Sequence, residues 1–172
     1  MRECQAPMTA RTRTRRSALL GAAVALAGTM LAPLGAYAKP TAAVDEGTTM
    51  TVHRDPNCGC CGQWMALAAK AGFKVKDVKD RDLMARKLAL GVPETLASCH
   101  TATVGGYVIE GHVPLADVAR LLRDKPKGVA GIAVPGMPAG SPGMEMPDGS
   151  SEPFAVIAFE RAGTSRVFAQ HR

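Results

Sequence analysis

Apolar and polar positions change period several times along this chain, and each change marks an element. Residues 49–54, TMTVHR, are rich in β-formers and stop at the Asp55-Pro56-Asn57 turn, which predicts a strand. Trp64, Leu67, Ala68 and Ala71 recur at i, i+3, i+4 and i+7, predicting a helix from about Cys61 to Ala71 that Gly72 closes. In FKVKDV, residues 73–78, Phe73, Val75 and Val78 alternate imperfectly with charges and predict a second strand. A second helix is expected across RDLMARKLALG, residues 81–91, with Asp80 as its cap and Gly91 as its stop. After a short turn or helical piece at 93–97, strands are expected near 101–104 and 107–110, joined by Gly105-Gly106 as a two-residue hairpin turn. Pro114 suits the first position of a third helix with the apolar face Leu115, Val118, Ala119 and Leu122.

Residues 125–153 are rich in Pro and Gly and predict an extended loop, and loops this long are more often functional or mobile than idle. FAVIAFE and TSRVFAQ, on either side of Ala162-Gly163, predict a closing β-hairpin. The order β-α-β-α-β-β-α, then loop and hairpin, predicts an α/β fold with a mixed sheet flanked by helices.

The first 38 residues read differently. A basic stretch, RTRTRRSALL, leads into the apolar GAAVALAGTMLAPLGAYA, which ends in Ala36-Tyr37-Ala38. This is the pattern of a secretory signal, and Arg15-Arg16 also permits twin-arginine export. Residues 18–38 are long enough to span a bilayer, but their Ala and Gly content and the Ala-x-Ala end favour cleavage. No Cys follows the apolar run, which argues against a lipoprotein. The expected organisation is a signal peptide at 1–38 and one domain at 39–172, exported without stable membrane insertion after cleavage.

Removing that segment changes the charge. The chain carries a net +6, of which the first 38 residues supply +4 through five Arg and one Glu, leaving +2 for the rest. Nucleic-acid binding thereby loses its main support.

The candidate chemistry is sulfur. Cys4 would leave with the signal, and Cys58, Cys60, Cys61 and Cys99 remain. A purely structural disulfide framework explains three cysteines in CGCC badly, because adjacent Cys60 and Cys61 are poorly placed for a bridge. Cys58 and Cys61 have C-x-x-C spacing near a helix start, where the dipole and free N–H groups favour thiolate. Thiolate serves both disulfide exchange and metal binding, so position alone leaves both open. Cys60 tips the balance, since a dithiol enzyme needs two cysteines whereas a metal site gains from a third and from Cys99. Sulfur-rich coordination suits Cu(I), Zn(II) or an iron–sulfur cluster, and C-x-C-C does not match paired zinc knuckles.

His112, in the loop before the third helix, is the favoured added ligand. His100 is the weaker one, because in a regular strand it would face away from Cys99 unless the backbone bends. His53 reads as an ordinary sheet residue and His171 as a mobile tail. Met137, Met144 and Met146 are weaker soft ligands, and gap-filling packing is the commoner role for such residues.

PNCGCCGQW, GVPETLASCHTATVGGYVIEGHVP and GIAVPGMPAGSPGMEMP, in that order, resemble the CopG-type periplasmic copper-resistance family. The resemblance spans most of residues 49–170. It implies a thioredoxin-like fold, Cu(I) bound by Cys58, Cys60, Cys61 and Cys99, and an oxidoreductase role on copper, with other periplasmic copper-resistance proteins as partners. On this reading Cys58 and Cys61 form the redox pair, and copper release or redox change couples to their disulfide. A thiol–disulfide oxidoreductase acting on protein substrates and a passive copper chaperone are the alternatives.

Overall fold

The computed structural model describes residues 47–172. The expected signal peptide, its cleavage site and residues 39–46 of the expected domain lie outside the described residues.

Over those residues one seven-stranded mixed sheet is flanked by three α-helices, an arrangement consistent with the thioredoxin-like α/β fold expected. The strands are β1 (Thr49–Arg54), β2 (Lys74–Lys79), β3 (His100–Val104), β4 (Tyr107–Glu110), β5 (Gly131–Ala133), β6 (Phe154–Phe159) and β7 (Ser165–His171). The helices are α1 (Gly59–Lys70), α2 (Leu83–Ala89) and α3 (Leu115–Asp124), and a 3₁₀ turn covers Glu94–Leu96. The sheet order is β2-β1-β3-β4-β5-β6-β7. β1 and β2 are parallel through the α1 crossover, β4 and β5 are parallel through α3, and the remaining neighbours are antiparallel. No helix among the described residues is long and apolar enough to cross a membrane.

Strand alternation divides the core between the two faces of the sheet. Met50, Val52, Ala102, Ile109 and Ile132 pack on one face with Trp64 and Ala68 of α1 and Val118 and Leu121 of α3. Val108, Ala133 and Phe159 pack on the other with Val92 and Leu96, which follow α2. Full burial of each aliphatic side chain contributes about 1.5–3 kcal/mol, so the larger cluster supplies most of the drive to order α1 against β1 and β3.

Several expectations are corrected. The stretch 125–153 is not all loop, because Gly131–Ala133 forms β5 between β4 and β6. Glycine is needed there, since a Cβ on Gly131 would come within 2.2 Å of the Val108 carbonyl oxygen and 2.6 Å of the Phe159 ring. The cap of α2 is Asp82, whose carboxylate accepts from the Ala85 N–H, whereas Asp80 pairs with Arg86. α1 begins at Gly59 rather than near Cys61, so its first turn holds the cysteines; Ala71, given to its apolar face, is exposed. The apolar face of α3 also includes Leu121, which is fully buried. His171 is no loose tail: it is on β7, with Nε2 2.6 Å from Asp117 Oδ2 and its ring stacked on Phe154.

Candidate metal and redox site

The site assembles where three segments end at one edge of the fold: the start of α1, the approach to β3 and the turn after β4. The first is set locally. Asp55 Oδ1 accepts from the Asn57 N–H at 2.7 Å and the Asp55 carbonyl accepts from the Cys58 N–H at 3.1 Å, which closes the turn before the cysteines. Arg54 holds this turn from below. Its guanidinium makes two 2.9 Å bonds to the Asp77 carboxylate and also reaches the carbonyls of Asp55, Pro56 and Cys58. That bond to Arg54 keeps the Asp77 carboxyl below the usual range.

Cys58 is the N-cap of α1 and makes no side-chain capping bond. No acidic residue sits in the first turn, so the positive end of the helix dipole is left for the thiols. Cys58 and Cys61 are joined by a disulfide, while Cys60 and Cys99 are free. Cys60 Sγ is 3.6 Å from Cys58 Sγ, and the Cys61 sulfur lies 3.8 Å from the Cys99 carbonyl oxygen.

The second segment bends where the sequence left the question open. Cys99 lies at a bend just before β3, and His100 is the first strand residue. The bend turns Cys99 Sγ to within 3.2 Å of His100 Nδ1 and 3.0 Å of His112 Nε2. The result is two overlapping donor groups. Cys58, Cys60, Cys61 and Cys99 have sulfurs within 4.8 Å of one another, and the donor atoms of Cys99, His100 and His112 lie equally close. Cys99 belongs to both.

The imidazoles are held neutral and aimed. His112 Nδ1 donates to the Pro142 carbonyl at 2.8 Å, which leaves the Nε2 lone pair facing Cys99. Burial lowers the His112 pKa, against the opposing pull of the Pro142 carbonyl and Glu145. His100 is fully buried against Trp64, with ring centroids 4.6 Å apart, and its Nε2 has no hydrogen-bond partner. Burial, then His112 and Lys87, lower its pKa to about 3. Trp64 is itself fixed by an Nε1–H bond of 2.9 Å to the Val113 carbonyl. Burial first, and then the Cys60 sulfur, push the Cys99 thiol up to about 12. With Cys99 protonated, its hydrogen lies in an S–H···N contact with imidazole, the place a soft cation would take between the same two atoms.

Residues that sequence reasoning missed hold this floor in place. Lys87, 3 % exposed, donates to Glu110 Oε1 at 2.5 Å and to Thr101 Oγ1 at 2.9 Å. Glu110, fully buried, also accepts from the Ser98 N–H at 2.6 Å and from Thr101 Oγ1 at 2.6 Å. The carboxylate therefore grips the residue just before Cys99. Burial raises the Glu110 pKa, and Lys87, Thr101 and Ser98 oppose that rise. Gly111 then turns the chain with φ +72 toward His112. A Cβ there would sit 2.5 Å from Ser98 Oγ and 2.6 Å from the Val134 carbonyl oxygen, so only glycine lets the two segments approach. Lys87 did carry a signal, falling between Leu83 and Leu90 on the inward side of α2 at i, i+4 and i+7.

The structure thus brings Cys58, Cys60, Cys61, Cys99, His100 and His112 together. Met137 and Met146 stand out in solvent, at 53 and 42 % exposed, and Met144 is half-buried. Met144 follows Gly143, whose α-carbon packs so closely on α1 that a Cβ would come within 2.8 Å of the Trp64 backbone nitrogen. His53 is a β1 residue, 3.4 Å from Asp80.

No curated protein matches the chain. A family model described as a protein of unknown function, DUF411, matches residues 96–144, which include Cys99, His100 and His112. Two solved structures, described as forms 1 and 2 of the copper resistance protein CopG, are similar throughout. Form 1 is 44 % identical, with 73 % of this chain and 98 % of that chain covered and a TM-score of 0.68. Form 2 is 43 % identical, with 74 % and 100 % covered and a TM-score of 0.69. At that identity across essentially the whole of both structures, this chain belongs to the CopG copper-resistance protein family.

Proposed function

We propose that this protein is an exported, periplasmic copper-handling protein that takes Cu(I) as cargo on the thiolates of Cys58, Cys60, Cys61 and Cys99, with His112 and His100 as nitrogen donors. The observation that carries the reading is Cys99. Its sulfur is shared between a four-sulfur group and a two-imidazole group, and soft sulfur with neutral imidazole is the donor set that favours cuprous ions. Thiolates that bridge soft cations allow more than one ion to be held. The similar structures are of proteins named for copper resistance, which points the same way.

Cys58 and Cys61 serve as the redox pair. Closing their disulfide withdraws two of the four thiolates from the site, so oxidation of the pair weakens its hold on copper. The electrons reduce cupric ions, one each. His112 and His100 accept protons poorly, which keeps their nitrogens available as donors when thiol protons leave. Met137, Met144 and Met146 provide soft thioethers on the loop that passes the start of α1, and we assign them to copper entry. Other periplasmic copper-resistance proteins are the proposed partners.

Reduced protein should bind Cu(I) far more tightly than Zn(II) in competition against chelators of known affinity. Displacement of Cu(I) by equimolar Zn(II) would replace this reading with a structural zinc site. Efficient reduction of insulin at a rate unchanged by Cys60→Ser would favour disulfide exchange on proteins instead.

A further inference from the structure

The Cys58–Cys61 bridge leaves two thiols whose arrangement has a consequence of its own. Cys60 and Cys99 are both free and half-buried, and their sulfurs lie within 4.8 Å of each other. Cys60 is in the first turn of α1, and Cys99 precedes the β1–β3 ladder, which runs only as far as His100. Neither sulfur is locked by sheet pairing. Bonded sulfurs are about 2 Å apart, and a rotamer change at either cysteine moves its sulfur along the gap. Cys58 is engaged with Cys61, so the thiol left for Cys60 to meet is Cys99.

We infer that Cys60 and Cys99 are a second redox pair, so that the site can discharge four electrons and end as two disulfides, Cys58–Cys61 and Cys60–Cys99. The inference rests on the copper reading for its electron acceptor and deepens it. In each half, two S–H bonds break, one S–S bond forms, two protons pass to solvent and two electrons leave. The two halves together reduce four cupric ions to four cuprous ions. The final state has no thiolate left, and of the donors gathered here only His100 and His112 remain. The second closure therefore turns a soft, high-affinity site into a weak one and ties the start of α1 to the approach to β3. Complete release of copper belongs to this step, because the first closure alone leaves Cys60 and Cys99 as ligands.

Mapping the pair needs no metal, and a parallel assay adds cupric ions to the reduced protein and counts the cuprous ions formed. Reduced protein is titrated anaerobically with diamide, a dithiol oxidant, then alkylated and analysed by mass and peptide mapping, which separates Cys4 from the four site cysteines. Two plateaus are expected. Cys60 and Cys99 remain alkylatable at the first, no site cysteine does at the second, and the second bridge maps to Cys60–Cys99 within one chain. Cys60→Ser should stop at the first plateau with Cys99 alkylated. Cys58→Ser/Cys61→Ser should still lose two thiols, as Cys60–Cys99.

Persistent alkylation of Cys60 and Cys99 after Cys58–Cys61 has closed would overturn the inference. So would their appearance as sulfinic acids or as bridges between chains. Two plateaus with diamide but no reduction of cupric ions would uphold the second pair and defeat the copper reading. Reduction of only two cupric ions, with Cys60 and Cys99 still alkylatable, would refute the pair and leave the copper reading standing.

Discussion

The two halves of the candidate site are built by different means. The rim, Cys58, Cys60 and Cys61, is written in four consecutive residues and held by its own neighbourhood: an Asp55 turn, the Arg54 clamp and a helix start. The floor, Cys99, His100 and His112, is assembled from distant segments by a buried ion pair, a glycine turn and a backbone carbonyl. A locally built rim tolerates the loss of one ligand without losing its shape. A floor built from long-range contacts does not, because its ligands and its stability depend on the same buried groups.

The largest effect expected from this contrast is at Lys87. Lys87→Met leaves Glu110 buried without its counter-charge and should cost about 3–5 kcal/mol in chemical denaturation. Adding Glu110→Gln should recover much of the stability, because the unpaired charge is then gone. If the single variant is as stable as the parent, the floor does not depend on the ion pair. Next is Gly111→Ala, which forces a side chain into the left-handed region against Ser98 and should cost about 1–3 kcal/mol in thermal unfolding. An unchanged Tm would mean that the two segments do not need this close approach.

At the rim, Cys60→Ser should lower bound copper while leaving circular dichroism and denaturation midpoint within about 0.5 kcal/mol of the parent. The Cys58–Cys61 disulfide should still form. A large loss of stability here would erase the distinction between the halves.

The last effect is a pH slope. His100 has a folded pKa near 3 against an ordinary 6.5. Between these values the unfolded chain binds a proton that the folded chain excludes, so stability falls as pH falls. Burial lowers His112 too, which adds to the slope in the same direction. His100→Asn should flatten the decline between about pH 6.5 and 5, above the ordinary Asp and Glu values. An unaltered slope would mean that His100 is not buried neutral.

The same contrast explains what could be read from the chain. β1, α1, the β3–β4 hairpin, α3 and the β6–β7 hairpin follow local period and turn chemistry. Gly105 and Gly106, for example, take φ of +55 and +84, as a two-residue hairpin turn requires. The rim was legible because C-x-C-C spacing is itself a local signal. β5 was not, since three residues in a Gly-rich stretch show no period, and Gly131–Ala133 is a strand because β4 and β6 flank it. Asp80 looked like a cap by position, but Arg86 and His53 engage it, and Asp82 is the one that reaches a free N–H. Whether Cys99 and His100 could share a site depended on one backbone bend, and that bend depends on Glu110, a partner across the sheet. Side-chain partners of that kind leave no spacing to read.

The central claim is that rim and floor are one site, joined at Cys99. Copper K-edge absorption on reduced, Cu(I)-loaded protein tests it most directly, by resolving sulfur and imidazole scatterers in one coordination shell. The account predicts both, with the imidazole signal lost in His112→Ala/His100→Ala and sulfur retained. A shell of sulfur alone in the parent protein would contradict it.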